Sequence, residues 1–323
     1  MNFDLVKKNA AYKRFASDVE RNVVSHAYLV YGEDGELRDS FFKLAAMKLL
    51  CPTACGECAT CTQILEGNYV ELFRADGKEK ISVSDVRELL EKLYVKCVVG
   101  ERKICVIDNA ELLSPEVQNK LLKTYEEPPE NLTIFLGAAH ESGLLATLRS
   151  RGKKLYLEDL SAKDVAAELT SDGEDTLTAE AAAAFSMGNY EKAEKFCREK
   201  EYRELYEKTF LMMAELKKSQ QVPEYVCGGL FEKETVKTTL DFMEIILCDV
   251  MKRASGSDAP LFTVNREYDL GRASEGYTAE SAAAAIAAVN EARKKLASNV
   301  NLYSAAGCML MEILEAKYKW RKK

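Results

Sequence analysis

Short apolar runs alternate with amphipathic stretches from about residue 25 to residue 160. The runs at 27–31, 69–74, 103–108, 132–137 and 154–157 predict strands, because near-continuous apolar sequence suits a strand buried on both faces. The segments between them place apolar residues at helical spacing. The one at 83–94 is preceded by Ser82-x-x-Asp85, the spacing of a capping box. Apolar strands alternating with helices predict a parallel sheet covered on both sides. After Asp159 the strand pattern stops. Short helices with alanine-rich faces follow, for example 178–185, with a polar break at 171–175. Longer helices are predicted at 235–254, 279–296 and 302–319, separated by loops at 255–260 and 271–276. The four alanines of 282–285 read as strong helix formers. The expected architecture is α/β followed by all-α, in three parts: 1–159, 160–212 and 213–323. A chain of 323 residues accommodates two or three domains.

Composition changes this picture little. Hydrophobic residues make up 47% and charged residues 30%, the balance of an ordinary globular protein. The first residues, Met1-Asn2-Phe3-Asp4-Leu5-Val6-Lys7-Lys8, lack the apolar core of a signal peptide, so a cytoplasmic protein with reduced thiols is expected. The formal net charge of −7 argues against a general attraction to nucleic acid. Ten cysteines are present. Six are scattered (Cys97, Cys105, Cys197, Cys227, Cys248 and Cys308), and most of these are expected to be small core residues.

The strand at 27–31 leads into Gly32-Glu33-Asp34-Gly35-Glu36-Leu37-Arg38-Asp39-Ser40 and then an apolar helical pattern. That is the strand–loop–helix context of a phosphate loop, whose full form is G-x-x-x-x-G-K-[ST]. Gly32 and Gly35 remain, but no lysine followed by a hydroxyl is present, and Glu33, Asp34 and Glu36 would repel a triphosphate. Asp108, at the end of the strand at 103–108, stands where a phosphate-loop ATPase holds magnesium. Its neighbour Asn109 is an amide and a poor general base. The plainer reading of Asp108 is a strand end that caps the next helix. The chain is built like an ATPase and disarmed as one, which points toward a partner of enzymes. Its two histidines, His26 and His140, suggest no catalytic triad; His26 is expected to be structural.

The remaining cysteines form Cys51-x3-Cys55-x2-Cys58-x2-Cys61. Four thiolates within so short a polar loop can close a tetrahedral site, and four sulfur ligands leave no open position for catalysis. Structural zinc is the expected occupant. An iron–sulfur cluster shares the Cys-x2-Cys-x2-Cys spacing, and four unrelated core cysteines are the plainest alternative.

A further helix is predicted after Ser114, a suitable N-cap, with Pro115 at its first position and Pro128-Pro129 ending it. Within it, Asn119-Lys120-Leu121-Leu122-Lys123-Thr124-Tyr125-Glu126-Glu127-Pro128-Pro129 closely matches the Asn-Ala-Leu-Leu-Lys-x-Leu-Glu-Glu-Pro-Pro signature of bacterial clamp-loader subunits. Leu144-Leu145-Ala146-Thr147-Leu148-Arg149-Ser150-Arg151-Gly152 resembles that family's Leu-Leu-Pro-Thr-Ile-x-Ser-Arg-Cys segment. His26-Ala27-Tyr28-Leu29 before the phosphate loop, the cysteine knuckle and Asn299-Val300-Asn301-Leu302 near the end are similar as well.

The resemblance implies an AAA+ module with a P-loop-type parallel sheet, a zinc-knuckle insertion at 51–61 and a small helical lid, followed by a helical collar that joins subunits into a ring. It implies a stationary, non-catalytic member of the DNA polymerase III clamp loader. The partners would be ATPase subunits of the tau/gamma type, a delta-type subunit, the sliding clamp and primer–template DNA, with ATP bound by the partner subunits. Arg151 would act in trans as an arginine finger, with Ser150 orienting its loop. A plain surface ion pair is the bland reading of Arg151. An active AAA+ ATPase and a zinc-dependent nucleic-acid-binding protein are the competing functions. Three departures from the family pattern stand out. Gly152 replaces the cysteine, Ala138-Ala139 replace a γ-phosphate-sensing hydroxyl, and the gap between Cys51 and Cys55 is short. Lys120 and Lys123 read as DNA contacts or as a solvated helix face, and 317–323 as a frayed helix end.

Overall fold

The structure is a computed structural model that describes residues 3–79, 81–263, 266–298 and 300–319. The chain divides into two compact units. One is Met1–Leu160 with Asn189–Glu191; the other is Ser161–Gly188 with Lys192–Lys323.

The first unit begins with helices α1 (Phe3–Lys8) and α2 (Ala10–Glu20). It continues with β1 (Ala27–Tyr31), α3 (Gly35–Leu50), α4 (Ala59–Leu65), β2 (Leu72–Asp76), α5 (Val83–Tyr94) and β3 (Lys103–Asp108). Then come α6 (Pro115–Glu126), β4 (Leu132–Ala138), the short α7 (Ala146–Arg149) and β5 (Lys153–Tyr156). The five strands form one sheet in the order β2-β3-β4-β1-β5, with every neighbouring pair parallel. Side chains alternate across it as the two-residue strand period requires. Tyr28 and Val30 face a core shared with α1–α4, while Ala27, Leu29 and Tyr31 face one shared with α5–α7. Phe15, Tyr28 and Phe135 form an aromatic cluster, with Tyr28 stacked on Phe135 at 5.5 Å.

The strand expected at 69–74 lies at Leu72–Asp76. The chain is still turning at Tyr69, whose carbonyl accepts from Leu72 N. Buried Glu71 is used to tie down a loop by accepting from the backbone N–H groups of Val98 and Val99. Ser82 and Asp85 do form the expected capping box, and Ser114 caps α6 with Pro115 in its first turn.

The second unit is helical: α8 (Ala162–Ser171), α9 (Thr176–Ser186), α10 (Tyr190–Arg198, whose first two residues belong to the first unit), α11 (Lys200–Glu215), α12 (Val222–Cys227), α13 (Val236–Ala254), α14 (Glu267–Ser274), α15 (Ala279–Ala297) and α16 (Leu302–Lys319). Phe185, Tyr206 and Phe242 pack ring against ring at its centre. Ala282, Ala285 and Ala292 bury the small-residue face of α15. The expected boundary at 212/213 falls inside α11. The loop expected at 271–276 is largely helix: Gly271 lies within α14, because Leu270 and Ala273 bury one face and Arg266 is paired with Glu207 and Asp269 at its start. Gly276, at φ +79°, ends the stretch.

Two further expectations need correction. Of the six scattered cysteines only Cys105 and Cys197 are buried; Cys227 and Cys308 are exposed. The basic end is not frayed where it is described: Lys317 is buried with its ammonium 4.7 Å from the Tyr277 ring centroid. Asn299 and residues 320–323 lie outside the described residues. Among the described residues no helix is long and apolar enough to cross a membrane.

Candidate functional site

The phosphate-loop segment is wound shut. α3 begins at Gly35, so only Gly32, Glu33 and Asp34 separate it from β1. In a phosphate-binding loop, open backbone N–H groups cradle the anion. Here the chain's own carboxylates take those donors. Asp34 accepts from Leu37 N at 3.1 Å and from Tyr190 N, and Glu191 Oε2 accepts from Gly35 N at 3.0 Å. Asp34 is 1% exposed; burial pushes its pKa up to about 6 against the pull of these N–H groups.

The second component was missed in the sequence. Counted from Gly32, the lysine position of G-x-x-x-x-G-K-[ST] falls on Arg38, and the hydroxyl position on Asp39. Arg38 is fully buried. Its Nε donates to Asp108 Oδ1 at 2.8 Å, and its Nη2 donates to Asp108 Oδ2 at 3.3 Å and to Asn109 Oδ1 at 2.8 Å. Its Nη1 donates to the Gly32 carbonyl. The guanidinium therefore bridges the two segments that an ATPase would hold apart with a phosphate and a metal ion. Asn109 adopts a left-handed conformation, φ 48°, which asparagine tolerates, and passes the network on to Asp76 Oδ1 at 2.7 Å. Burial raises the Asp39 carboxyl, but Lys43 and Arg74 outweigh it and hold its pKa below the ordinary range. The cleft beside this cluster, about 350 Å³, carries the carboxylates of Glu36, Asp39, Asp76, Glu79, Asp108 and Glu191. Gly137 of β4 lets the backbone pass Asp108: an added Cβ would stand 2.1 Å from its Oδ1.

Arg151 lies in a different cluster. Buried Gln118 on α6 donates to the carbonyls of Leu113 at 3.0 Å and Gly143 at 2.8 Å, and accepts from Leu145 N at 2.9 Å. It thereby fixes the loop leading into α7. Its signal in the sequence was a polar residue on the buried face of an amphipathic helix. Ser150 Oγ donates to the Thr147 carbonyl at 3.0 Å. Arg151 Nη1 donates to the same carbonyl at 3.0 Å, and Nη2 pairs with Glu126 Oε1 at 2.7 Å. The Arg151 side chain is 39% exposed. At Gly152, where the sequence resemblance leads to a cysteine being expected, an added Cβ would come within 2.5 Å of Leu29 Cγ. His26 has the structural position expected of it, with Nε2 3.0 Å from the Tyr125 carbonyl. Lys120 and Lys123 are exposed on α6.

The four clustered cysteines converge. Their Sγ atoms all lie within 4.8 Å of one another, with Cys51–Cys55 at 3.8 Å and Cys55–Cys61 at 4.0 Å. A tetrahedral sulfur site with metal–sulfur bonds of about 2.3 Å spaces its sulfurs about 3.8 Å apart. Left-handed turns at Ala54 (φ 46°) and Gly56 (φ 78°) close the short Cys51–Cys55 gap. Cys58 N donates to Cys55 Sγ at 3.4 Å, as suits a thiolate. The Thr53 hydroxyl brings the Cys51 pKa down to about 6, backbone N–H groups led by Glu57 lower Cys55, and burial pushes Cys61 up to about 12. Cys55 and Cys58 are exposed, which is not the arrangement of four core cysteines. The donor set and spacing fit a bound metal ion.

The parallel sheet brings the loop–helix unit after β1 beside the ends of β4 at Ala138 and of β3 at Asp108, a P-loop-type arrangement in which the chain's own side chains take the loop's polar groups. Residues 7–161 match the family model described as "DNA polymerase III, delta subunit". The DNA polymerase III subunit tau/gamma of Haemophilus influenzae is 34% identical over 171 residues, covering 51% of this chain and 25% of that protein. The subunit delta' of Yersinia pestis is 35% identical over 157 residues, 46% of each chain. The chain thus covers less than half the length of these relatives. Among solved structures, a gamma-subunit-related protein of Thermotoga maritima aligns with a TM-score of 0.46 at 16% identity, over 95% of this chain and 99% of that one.

Proposed function

We propose that this chain is a non-catalytic, stationary subunit of a bacterial DNA polymerase III clamp loader, of the delta' type, which donates Arg151 to the ATPase site of a neighbouring subunit. The observation that carries this reading is the buried Arg38 guanidinium bonded to Asp108, Asn109 and Gly32 where a nucleotide's phosphates and metal would sit. An ATPase of its own would have to displace a permanently charged group bonded on several sides. The neighbour's nucleotide is then the one that matters. Arg151 follows Ser150 at an exposed turn, and a guanidinium offers phosphate oxygens a rigid fork of donors. Supplied in trans, such a group is worth about 10³–10⁵ in rate in related nucleotide hydrolases.

The rest of the reading follows from that role. Residues 160–212 would form the lid and 213–323 the collar. The partners would be tau/gamma-type ATPases, a delta-type subunit, the sliding clamp and primer–template DNA, in the cytoplasm. Cys51, Cys55, Cys58 and Cys61 would hold structural zinc, which would cross-link the loop between α3 and α4. Chelation should then expose fast-reacting thiols at Cys51, Cys55 and Cys58, while Cys61 and Cys105, whose pKa values burial raises to about 12, react slowly; a thiol-counting titration checks this. If chelation instead abolished DNA binding by the isolated chain, the nucleic-acid-binding alternative would gain support.

The test is clamp- and DNA-stimulated ATPase of a ring rebuilt from cognate subunits, comparing wild type with Arg151→Ala and checking assembly by size exclusion. A fall in ATPase with the ring intact, about 10³-fold at the one site Arg151 serves, supports the finger. Unchanged ATPase leaves an architectural subunit. Nucleotide titration of the isolated chain should give no saturable binding.

A further inference from the structure

Arg151 is not free in this structure. One side of its guanidinium bonds the Thr147 carbonyl, with Ser150 Oγ at 3.5 Å, and the other meets the Glu126 carboxylate at 2.7 Å. Glu126 is the last residue of α6, held there by the Glu127 N to Lys123 O bond and by Pro128-Pro129. A carboxylate at a helix C-terminus faces the negative end of the helix dipole, so a cation beside it is favoured twice. Gln118 ties α6 to the loop entering α7, so both members of the pair are carried on one braced platform. Exchange of partners then needs only side-chain rotation.

We propose that Glu126 is a latch on Arg151. Its carboxylate parks the guanidinium against the chain's own surface and is exchanged for the terminal phosphate of the neighbouring subunit's nucleotide when the finger engages. The proposal rests on the trans-acting role argued above for Arg151. Exposure and charge make the exchange easy in the required direction. The two side chains are 39% and 51% exposed, so parting them leaves no buried charge. A terminal phosphate carries more negative charge than a carboxylate and offers three oxygens to the fork. Glu126 itself must be left behind, because a carboxylate near the γ-phosphate would oppose the charge that the arginine stabilises. Glu126 is thus a positioning residue that sets how often Arg151 is available.

The experiment is a double-mutant cycle in the rebuilt ring, with Glu126→Gln, Arg151→Ala and the pair, each ring checked for assembly and each isolated chain for its melting temperature. Glu126→Gln is expected to raise ATPase kcat/KM about twofold to fivefold, the worth of an exposed ion pair. The gain should vanish in the Arg151→Ala background and narrow as salt is raised, because salt loosens the wild-type pair. A merely structural role would give neither response. If Arg151→Ala collapses the ATPase while Glu126→Gln leaves it unchanged or lowers it, the latch is wrong and the finger stands. If Arg151→Ala has no effect on an intact ring, the finger reading fails and the latch with it.

Discussion

Two arginines sit on this module in opposite circumstances. Arg38 is buried and bonded to groups from two segments; Arg151 is well exposed and held by a backbone carbonyl, the Ser150 hydroxyl and an exposed carboxylate. The side-chain chemistry is identical, so environment alone separates their roles. Removing one partner of a buried charged cluster leaves the other uncompensated, whereas an exposed pair parts at little cost. Arg38 is therefore a fixture of the fold, and Arg151 is a group that the fold leaves accessible, as the proposed trans-acting role requires.

Crossed substitutions test this division. Arg151→Ala should lower hydrolysis at the one ATPase site it serves by about 10³-fold or more while changing the stability of the isolated chain by less than about 1 kcal/mol. Arg38→Ala should do the reverse. It strands Asp108 and opens the seat, at about 3–5 kcal/mol of stability measured by urea denaturation. Equal destabilisation by the two would break the comparison.

A smaller effect is expected at Asp34. Its folded pKa of about 6 lies above its ordinary 3.8, so the folded state holds this proton more tightly than the unfolded one. The sign follows: its contribution is fully present below about pH 4 and is lost as pH rises through about 6. Relative to Asp34→Asn, wild type should gain stability on acidification from pH 7 to pH 4, by at most about 3 kcal/mol. A difference that does not change with pH would show that the carboxylate is not the buried group described. Smallest of all, Gly152→Cys restores the family residue but must push against Leu29; about 1–3 kcal/mol of overpacking is expected in a melt, with ring ATPase retained if only Arg151 matters.

Much of this was legible in the chain. Apolar runs located every strand of the sheet, because burial on both faces demands them. Caps at Ser82 and Ser114 are local hydrogen bonds and could be read locally. Edges were less legible. Tyr69–Glu71 are apolar or buried enough to resemble strand, yet they turn, and the polar stretch around Gly271 is helical because Leu270 and Ala273 find a core. At the site, the missing Gly-Lys-Ser/Thr was visible at once, as were Arg151 and the four cysteines. Arg38 was in view at the lysine position, but its role was not. Gln118 was an amide on an apolar helix face whose partners lie up to 27 residues away.

Sequence alone determined the alternation that builds the sheet, the clustering of four thiols and the absence of Gly-Lys-Ser/Thr after β1, since each depends on residues close together in the chain. Tertiary structure decided what replaced the phosphate. Arg38 and Asp108 are separated by 70 positions, and only the parallel pairing of β1 with β4 and of β4 with β3 brings the ends of their segments together. It also decided which arginine is buried and which is exposed, because burial belongs to the packed molecule and to no residue by itself.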